Sequence, residues 1–232
     1  MWGVDAGGPP GLRAAAFHGG NLIPVGTDPV ALESIAIQLA RGPRGCSSIV
    51  GGAEAVAAMW PVLGPRWGPA RAVRPSQPLL VADCPCAHPA DPGVRRVRSA
   101  DFERFLPAAV AMFTEELGIS PMLGDSSGYR ARVAELIGAG RSFARFDDRG
   151  RVEFKAEIGA LSEDTAQIQG VWVRPDLRKR GIGAAATAAV INEALRLAPT
   201  ASLYVNDFNV AARRMYDRLG MRPAGVLTTI LF

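Results

Sequence analysis

The chain has 232 residues, of which 48% are hydrophobic and 21% are charged. This composition excludes a disordered tail or a fibrous repeat, and it suits one large domain or two small ones. The 26 Lys and Arg residues outnumber the 22 Asp and Glu residues only slightly, a balance that fits a phosphorylated small ligand at least as well as nucleic acid. The sequence has neither an apolar run of roughly 18 residues nor a secretory pattern at its start, so we expect a cytoplasmic protein without a membrane span.

The first part of the chain, residues 1–92, is rich in Gly and Pro and carries short elements separated by turns. It contains no nucleotide-binding loop, metal-ligand spacing or nucleophile motif. Trp2-Gly3-Val4 is typical of a strand that turns back into the next one. The other predicted strands are Leu12–Phe17, Asn21–Val25 and Pro78–Ala82, and the predicted helices are Asp28–Leu39 and Ala53–Trp60.

The second part, residues 93–232, has longer and more regular elements. Apolar spacing predicts helices over 101–117, 128–139, 182–197 and 210–219, and strands over 142–146, 152–160, 165–173, 202–205 and 226–232. The first three of these strands follow one another across short turns and predict an antiparallel meander. We therefore predict an α/β (α+β) fold with a mixed, mostly antiparallel sheet flanked by helices, preceded by a smaller α/β region over 1–92.

The most informative segment is a hydrophobic strand, Val171–Val173, that leads through a basic loop into a helix beginning near Ile182. Amide groups in the first turn of a helix have no partners within the helix and lie at the positive end of its dipole, so they bind anions. Gly181 and Gly183 allow the backbone to approach such an anion closely. The segment predicts a phosphate-binding loop.

A dehydrogenase is one alternative, because Gly181–Ala186 fits the pattern G-x-G-x-x-A of dinucleotide-binding proteins. That pattern requires a strand immediately before the first glycine. Here the polar residues Arg174–Arg180 intervene and no series of parallel strands precedes them, so this alternative ranks lower.

The loop resembles the pyrophosphate-binding motif of the GNAT superfamily of acyl-CoA-dependent N-acyltransferases, Q/R-x-x-G-x-G/A, which Arg178–Gly183 fits at every position. Further along, Asn209–Met221 is similar to the family signature N-x-x-A-x-x-x-Y-x-x-x-G-F, with Met221 in place of the usual aromatic residue. Both blocks lie in the family's order, and the resemblance covers residues 93–232.

The resemblance implies a GNAT fold and transfer of an acetyl group from acetyl-CoA to a primary amine by direct attack. It implies that Tyr216 is the general acid, that Asn209 hydrogen-bonds the cofactor arm, and that the pantetheine pairs with a splayed strand. The residues that the resemblance places in the cofactor site are Val171, Trp172, Val173, Arg178, Lys179, Arg180, Gly181, Ile182, Gly183 and Asn209.

The general base is the point at which the sequence departs from the family. Many members carry a Glu on the strand before the phosphate loop, and Gln167 stands at that position here. An amide cannot accept the proton, so Glu157 on the preceding strand is the first substitute and Glu153 the second.

Other functions stay open. A non-catalytic acyl-CoA-binding module for sensing or assembly is the main alternative to an enzyme, and a nucleic-acid-binding protein of similar fold has weak support from the charge. Cys84-Pro85-Cys86 with His88 is crowded and lacks a second ligand pair, so no metal site is predicted. Residues 1–92 are interpreted as a degenerate GNAT-like half. No residue favours one acceptor amine, and a homodimer is left open.

Overall fold

The computed structural model describes residues 2–5 and 11–232, which form both strands and helices. This confirms the predicted mixed α/β class. The strands are β1 (Trp2–Asp5), β2 (Leu12–His18), β3 (Asn21–Gly26), β4 (Ser48–Gly52), β5 (Ala72–Ala82), β6 (Arg95–Arg96), β7 (Ser142–Phe146), β8 (Val152–Leu161), β9 (Thr165–Val173), β10 (Thr200–Tyr204) and β11 (Arg222–Leu231). The α-helices are α1 (Pro29–Leu39), α2 (Ala53–Trp67), α3 (Phe102–Leu117), α4 (Ser127–Gly138), α5 (Ile182–Ala194) and α6 (Val210–Arg218).

The chain packs as two compact units whose segments interleave in sequence. Unit 1 takes its residues from 1–79, 204–210 and 223–232, and unit 2 consists of residues 80–203 and 211–222. The predicted boundary after residue 92 falls within unit 2, and the division into domains at that point stays a prediction. Because β11 lies in unit 1 almost entirely, the end of the chain returns to the unit in which the chain began.

Unit 1 contains a sheet in the order β1-β2-β3-β4-β11-β5, against which α1 and α2 pack. β1, β2 and β3 are antiparallel neighbours, β3 and β4 are parallel, and β4 and β11 are antiparallel. The core is formed by fully buried side chains that include Leu22, Ile49, Met59 and Leu63. Among these elements, β4 is one that the sequence analysis did not predict.

Two elements of unit 1 are longer than predicted, because the sequence analysis placed one end of each at a proline. α2 runs to Trp67 and passes through Pro61 and Pro65, because burial of Leu63 and Trp67 in the core offsets the helical bonds that the prolines cannot donate. β5 begins at Ala72, before its two prolines.

The prolines of β5 serve as hydrogen-bond acceptors. The carbonyl of Pro75 accepts from the hydroxyl of Thr228 at 2.8 Å, and the carbonyl of Pro78 accepts from the amide of Val205 at 3.1 Å. A proline has no N–H to donate to a neighbouring strand, but its carbonyl can still accept a hydrogen bond. It is therefore tolerated at strand positions where only the carbonyl is used.

Unit 2 contains a sheet in the order β10-β9-β8-β7-β6. The predicted meander is confirmed, since β7 with β8 and β8 with β9 are antiparallel, whereas β10 runs parallel to β9. α3 and α4 cover one face of this sheet, where Phe105, Ala109 and Trp172 share a buried cluster. α5 ends at Ala194 rather than at the predicted Leu197, because the amide of Leu197 bonds to the carbonyl of Ala194 in a tighter turn.

Two kinds of feature were searched for in the described residues. Within residues 2–5 and 11–232, no helix has both the length and the apolar character that a bilayer crossing demands. The same residues contain no group of three His, Cys, Asp or Glu side chains placed to hold a metal ion. Cys84 is exposed and Cys86 is half-buried.

Asp101 closes the short 3-10 turn, Ser99–Asp101, that directly precedes α3. Its carboxylate accepts two hydrogen bonds from the guanidinium of Arg95, at 2.7 and 3.0 Å, and one from the amide of Arg98 at 2.9 Å. The hydrogen bonds from Arg95 lower the pKa of Asp101 to about 2. A carboxylate whose pKa is lower in the folded state stabilises the fold above its unfolded pKa, and this stabilisation is lost as the pH falls toward the folded value.

We expect Asp101→Asn to lower the free energy of unfolding by about 1 to 2 kcal/mol at pH 7, because a charge-assisted pair becomes a neutral one. The difference between the two proteins should shrink as the pH falls from about 4 to about 2, because Asp101 becomes protonated there. Urea unfolding measured across this pH range checks the expectation. A difference independent of pH would contradict it.

Candidate active site

The candidate site begins where β9 separates from β10. In the described part of the chain, the ladder joins these strands at three positions, from Thr165 with Thr200 to Gln167 with Ser202. β9 continues to Val173 beyond the last of these pairs. The backbone groups on this side of β9, which include those of the predicted Val171–Val173 strand, are thereby available to an extended ligand that adds itself as a strand.

A bulge in β9 accompanies this separation. Trp172 lies opposite Lys155, and Gln169 lies opposite Glu157, so β9 has one more residue than β8 between these pairs. Gly170 lies in the bulge with a φ of +59°, a conformation that side chains other than glycine rarely adopt. Bulges of this kind redirect a strand and are frequent beside active sites.

The loop after β9 has a left-handed backbone conformation at two positions directly before α5. Lys179 has a φ of +63° and Gly181 has a φ of +83°, and α5 begins at the next residue, Ile182. The amide of Ala184 donates to the carbonyl of Gly181 at 3.1 Å, so the amides of Ile182 and Gly183 precede the first helical bond. No side chain caps α5 at Gly181, which leaves this helix start suited to an anion.

The two glycines of the loop are needed for different reasons. A Cβ added to Gly181 would meet no atom within 4 Å, so this position needs glycine for its positive φ alone. A Cβ on Gly183 would lie 3.3 Å from Cγ2 of Val173 and 3.6 Å from Sδ of Met215. Gly183 therefore allows α5 to pack closely against β9 and α6.

Arg178 is held by α3. Its guanidinium donates to both carboxylate oxygens of Glu115 at 2.7 Å, and its Nε donates to the carbonyl of Val173 at 2.9 Å. Glu115 also accepts from Nε1 of Trp172 at 3.2 Å, and the hydrogen bond from Arg178 lowers the pKa of Glu115. Arg178 thus joins the loop to α3, in addition to the phosphate contact that the sequence predicts for it.

The remaining positive charge of the loop divides into two groups. Arg174 is paired with carboxylates, at 3.1 Å from Asp147 and 2.8 Å from Asp176, so it fixes the start of the loop. The side chains of Lys179 and Arg180 are exposed. Both residues lie directly before the uncapped start of α5 at Gly181.

Tyr216 lies on α6 beside Met215, the residue that packs near Gly183. Its side chain is buried, and burial together with the charge of Glu116 raises the pKa of Tyr216. The phenol is therefore protonated at neutral pH, the form that a general acid must have. Asn209 is exposed directly before α6, in a segment of the chain that packs with unit 1.

The candidate bases differ in their surroundings. Glu157 is buried on β8, and its Oε1 accepts a hydrogen bond from Nζ of Lys155 at 2.9 Å. Its Oε2 would lie 3.5 Å from a Cβ on Gly170, which places the carboxylate at the bulge. Glu153 is ion-paired with Arg145 at 2.7 Å, and Gln167 is half-buried at the last rung of the β9–β10 ladder.

The sequence analysis assigned no role to two residues of this site, Glu115 and Lys155. Glu115 has no local signal, because its partner Arg178 is 63 positions away. Lys155 carries a signal, since Glu153, Lys155 and Glu157 alternate with apolar residues along β8 and therefore lie on the same face. That alternation alone does not distinguish an exposed face from one that helices cover.

Two protein families match different parts of the chain. Residues 122–221 match the family described as Acetyltransferase (GNAT) family, and residues 1–105 match a domain of unknown function, DUF4081. No protein of curated function matches the chain.

Solved structures of GNAT proteins share the fold at low identity. A GNAT-family protein from Novosphingobium aromaticivorans is 21% identical, with a TM-score of 0.59, over 92% of this chain and 83% of that one. A GCN5-related N-acetyltransferase from Kribbella flavida is also 21% identical, with a TM-score of 0.56, over 91% and 80%. A tandem GNAT protein from the clavulanic acid biosynthesis pathway is 15% identical, with a TM-score of 0.54, over 97% and 80%. These likenesses confirm the predicted fold.

We expect Gly181→Asp to weaken binding of CoA by about tenfold or more, about 1.4 kcal/mol, because it places a carboxylate at the helix start and strains the loop. Isothermal titration with CoA measures the effect. Gly140→Asp is the matched control, since Gly140 also has a positive φ, +68°, but lies between α4 and β7. Equal loss of affinity in both variants would show that strain alone is responsible.

Proposed function

We propose that the GNAT acetyltransferase domain at residues 122–221 catalyses transfer of an acetyl group from acetyl-CoA to a primary amine. The observation that carries this proposal is the path of β9. This strand leaves β10 after Gln167, bulges at Gly170 and leads into an uncapped helix start at Gly181. One continuous segment thus offers backbone partners for an extended arm and amide donors for a pyrophosphate.

The proposed acyl-donor site uses both parts of that segment. The backbone of Val171–Val173 pairs with the pantetheine arm, and the amides of Ile182 and Gly183 with the charges of Lys179 and Arg180 hold the pyrophosphate. Arg178 keeps the loop in place through Glu115, and Asn209 is the proposed contact to the arm. The donor supplies an activated thioester carbonyl, and side chains of the protein accept and donate the protons that the reaction requires.

Two proton transfers are assigned to this chain. The acceptor ammonium gives its proton to Glu157, directly or through water, and the free amine then forms the N–C bond with the carbonyl carbon. The C–S bond breaks, and Tyr216 protonates the thiolate that leaves. After the attack the nitrogen still carries one proton more than an amide, and it releases this proton to solvent. The phenoxide regains a proton from solvent and Glu157 releases one, so the products are the acetamide, CoA and one proton.

A non-catalytic acyl-CoA-binding module is the second candidate. Gln167 in place of a carboxylate favours it, as does the burial of Tyr216, whose side chain is only 6% exposed. Such a module needs the loop and the separated strands but no proton acceptor at the bulge. The carboxylate of Glu157 at Gly170 favours the enzyme.

We expect Tyr216→Phe to lower turnover about 100-fold or more while leaving CoA affinity within about twofold, because only the hydroxyl group that carries the acidic proton is removed. The measurement is release of CoA thiol from acetyl-CoA with a panel of primary amines, together with calorimetric titration of CoA. Unchanged turnover in the variant would exclude Tyr216 as the acid. CoA binding without thiol release in the unaltered protein would favour the binding module.

We also propose that the first part of the chain is a GNAT-like unit that has lost its anion site. The order β1-β2-β3-α1-β4-α2 in unit 1 repeats the order β7-β8-β9-α5-β10-α6. The pairing also repeats, with two antiparallel steps followed by a parallel one. In each of the two sets of elements, the helix after the third strand, α1 or α5, begins at the position to which a phosphate-binding loop would connect.

The start of α1 differs from the start of α5 in one decisive respect. Asp28 caps α1, and its carboxylate accepts from the amides of Val30 and Ala31 at 3.0 and 3.1 Å. The amides that would bind a phosphate thus already hold an anion of the chain itself. Arg13 lies 3.3 Å from the same carboxylate and compensates its charge.

We expect one CoA to bind per chain and the Gly181→Asp variant to retain only that single, weakened site, because Asp28 occupies the helix start that corresponds to the phosphate loop. Calorimetric stoichiometry of the two proteins measures this. A stoichiometry of two, or a site of unaltered affinity in Gly181→Asp, would contradict the assignment.

A further inference from the structure

Lys155 is a fully buried lysine beneath the bulge of β9. Its side chain has no exposed surface, and its Nζ lies 2.9 Å from Oε1 of Glu157 and 5.6 Å from the ring centre of Phe105. A Cβ on Gly170 would lie 3.0 Å from the same Nζ. The ammonium therefore supports the strand at the point where it separates from β10.

Stability alone does not explain this ion pair. Removing two charges from water is costly, and apolar side chains of similar volume often give an equally stable or more stable protein. Apolar groups already surround the pair, including Phe105 and the methyl group of Met112, which a Cβ on Gly170 would approach to 3.0 Å. The pair is better explained by chemistry at the bulge than by packing.

The groups around Glu157 leave Lys155 as its charged partner. Ser142 on β7 and Gln169 on β9 lie directly opposite Glu157, and both are uncharged. From α4, Tyr129 is near enough that the charge of Glu157 adds to the effect of burial in raising the pKa of Tyr129. The hydroxyl of Tyr129 donates to the carbonyl of Ala109.

α3 contributes one carboxylate close to this group. Glu115 accepts from Nε1 of Trp172, the residue directly opposite Lys155, and it is already paired with Arg178. Glu115 with Arg178 and Glu157 with Lys155 thus form two ion pairs that share no partner among the bonds described above.

We infer that Lys155 is a positioning residue for the proposed acetyl transfer, on which its role rests. It donates to Oε1 of Glu157 and so keeps Oε2 at the bulge, where the acceptor ammonium loses its proton. One proton moves from the ammonium nitrogen to the carboxylate, directly or through water. Lys155 neither gains nor loses a bond to a reacting atom, and the subsequent N–C formation and C–S cleavage proceed as described above.

A double-mutant cycle tests this role. The variants are Lys155→Met, Glu157→Gln and the combination, and the measurement is kcat/KM for thiol release from acetyl-CoA with a primary amine across pH. If Lys155 acts through Glu157, Lys155→Met lowers kcat/KM about tenfold or more in the unaltered protein but less than about twofold in the Glu157→Gln background. In Lys155→Met, the acidic limb of the pH profile of kcat/KM is displaced along the pH axis relative to that of the unaltered protein.

Two further arms separate positioning from structural damage. Lys155→Gln keeps a donor for Oε1, so part of the lost activity should return, and it replaces Lys155→Met in the cycle if that variant does not fold. Hydroxylamine is mostly unprotonated at neutral pH and can attack without first losing a proton, so Lys155→Met should lose much less rate with it than with an alkyl amine.

The outcomes are distinguishable. Equal loss from Lys155→Met in both backgrounds would overturn the positioning role while leaving the acetyltransferase intact. Failure of the unaltered protein to bind CoA and to release thiol with any amine would overturn the proposed function, and the role of Lys155 with it. Non-additive loss with CoA affinity retained supports both.

Discussion

The separation of β9 from β10 is the constraint on which the rest of unit 2 depends. A strand in the interior of a sheet normally bonds on both sides along its length, and β9 gives up one side after Gln167. The extra residue at the bulge changes its direction, and Gly170 allows the backbone conformation that this requires. A strand edge left open inside a folded unit is costly unless a ligand or another chain segment pairs with it. The proposed acyl donor is such a ligand.

The face of the sheet covered by α3 supports this open edge with charge. Arg178 bonds to Glu115 on α3, and the same carboxylate receives the indole N–H of Trp172 from β9. Deeper in the sheet, Lys155 and Glu157 form a buried pair beneath the bulge. The exposed pair is expected to add little to stability, because solvent screens it, whereas the buried pair has strict requirements on geometry. Their shared effect is to fix where β9 and its loop lie.

Unit 1 has elements in the same order as unit 2, but the helix after its third strand begins differently. Both units place a helix after the third strand of a meander, but α1 is capped by the carboxylate of Asp28, whereas α5 starts at an uncapped glycine. A single side chain therefore decides whether the amides of a helix start are satisfied by the protein or left for a ligand.

The sequence by itself determined the features that depend on neighbours along the chain. These features are the predicted phosphate loop, the helix starts, the meander and the Gly-rich turns. Each depends on residues within a few positions of one another, so each is recognisable in the sequence. Tertiary structure alone decided the pairing of Glu115 with Arg178, the placement of β11 in unit 1 and the burial of Lys155 with Glu157. Each of these joins strands or helices far apart in sequence, or depends on which face the helices cover. Local patterns carry no information about such partners, because long-range packing selects them.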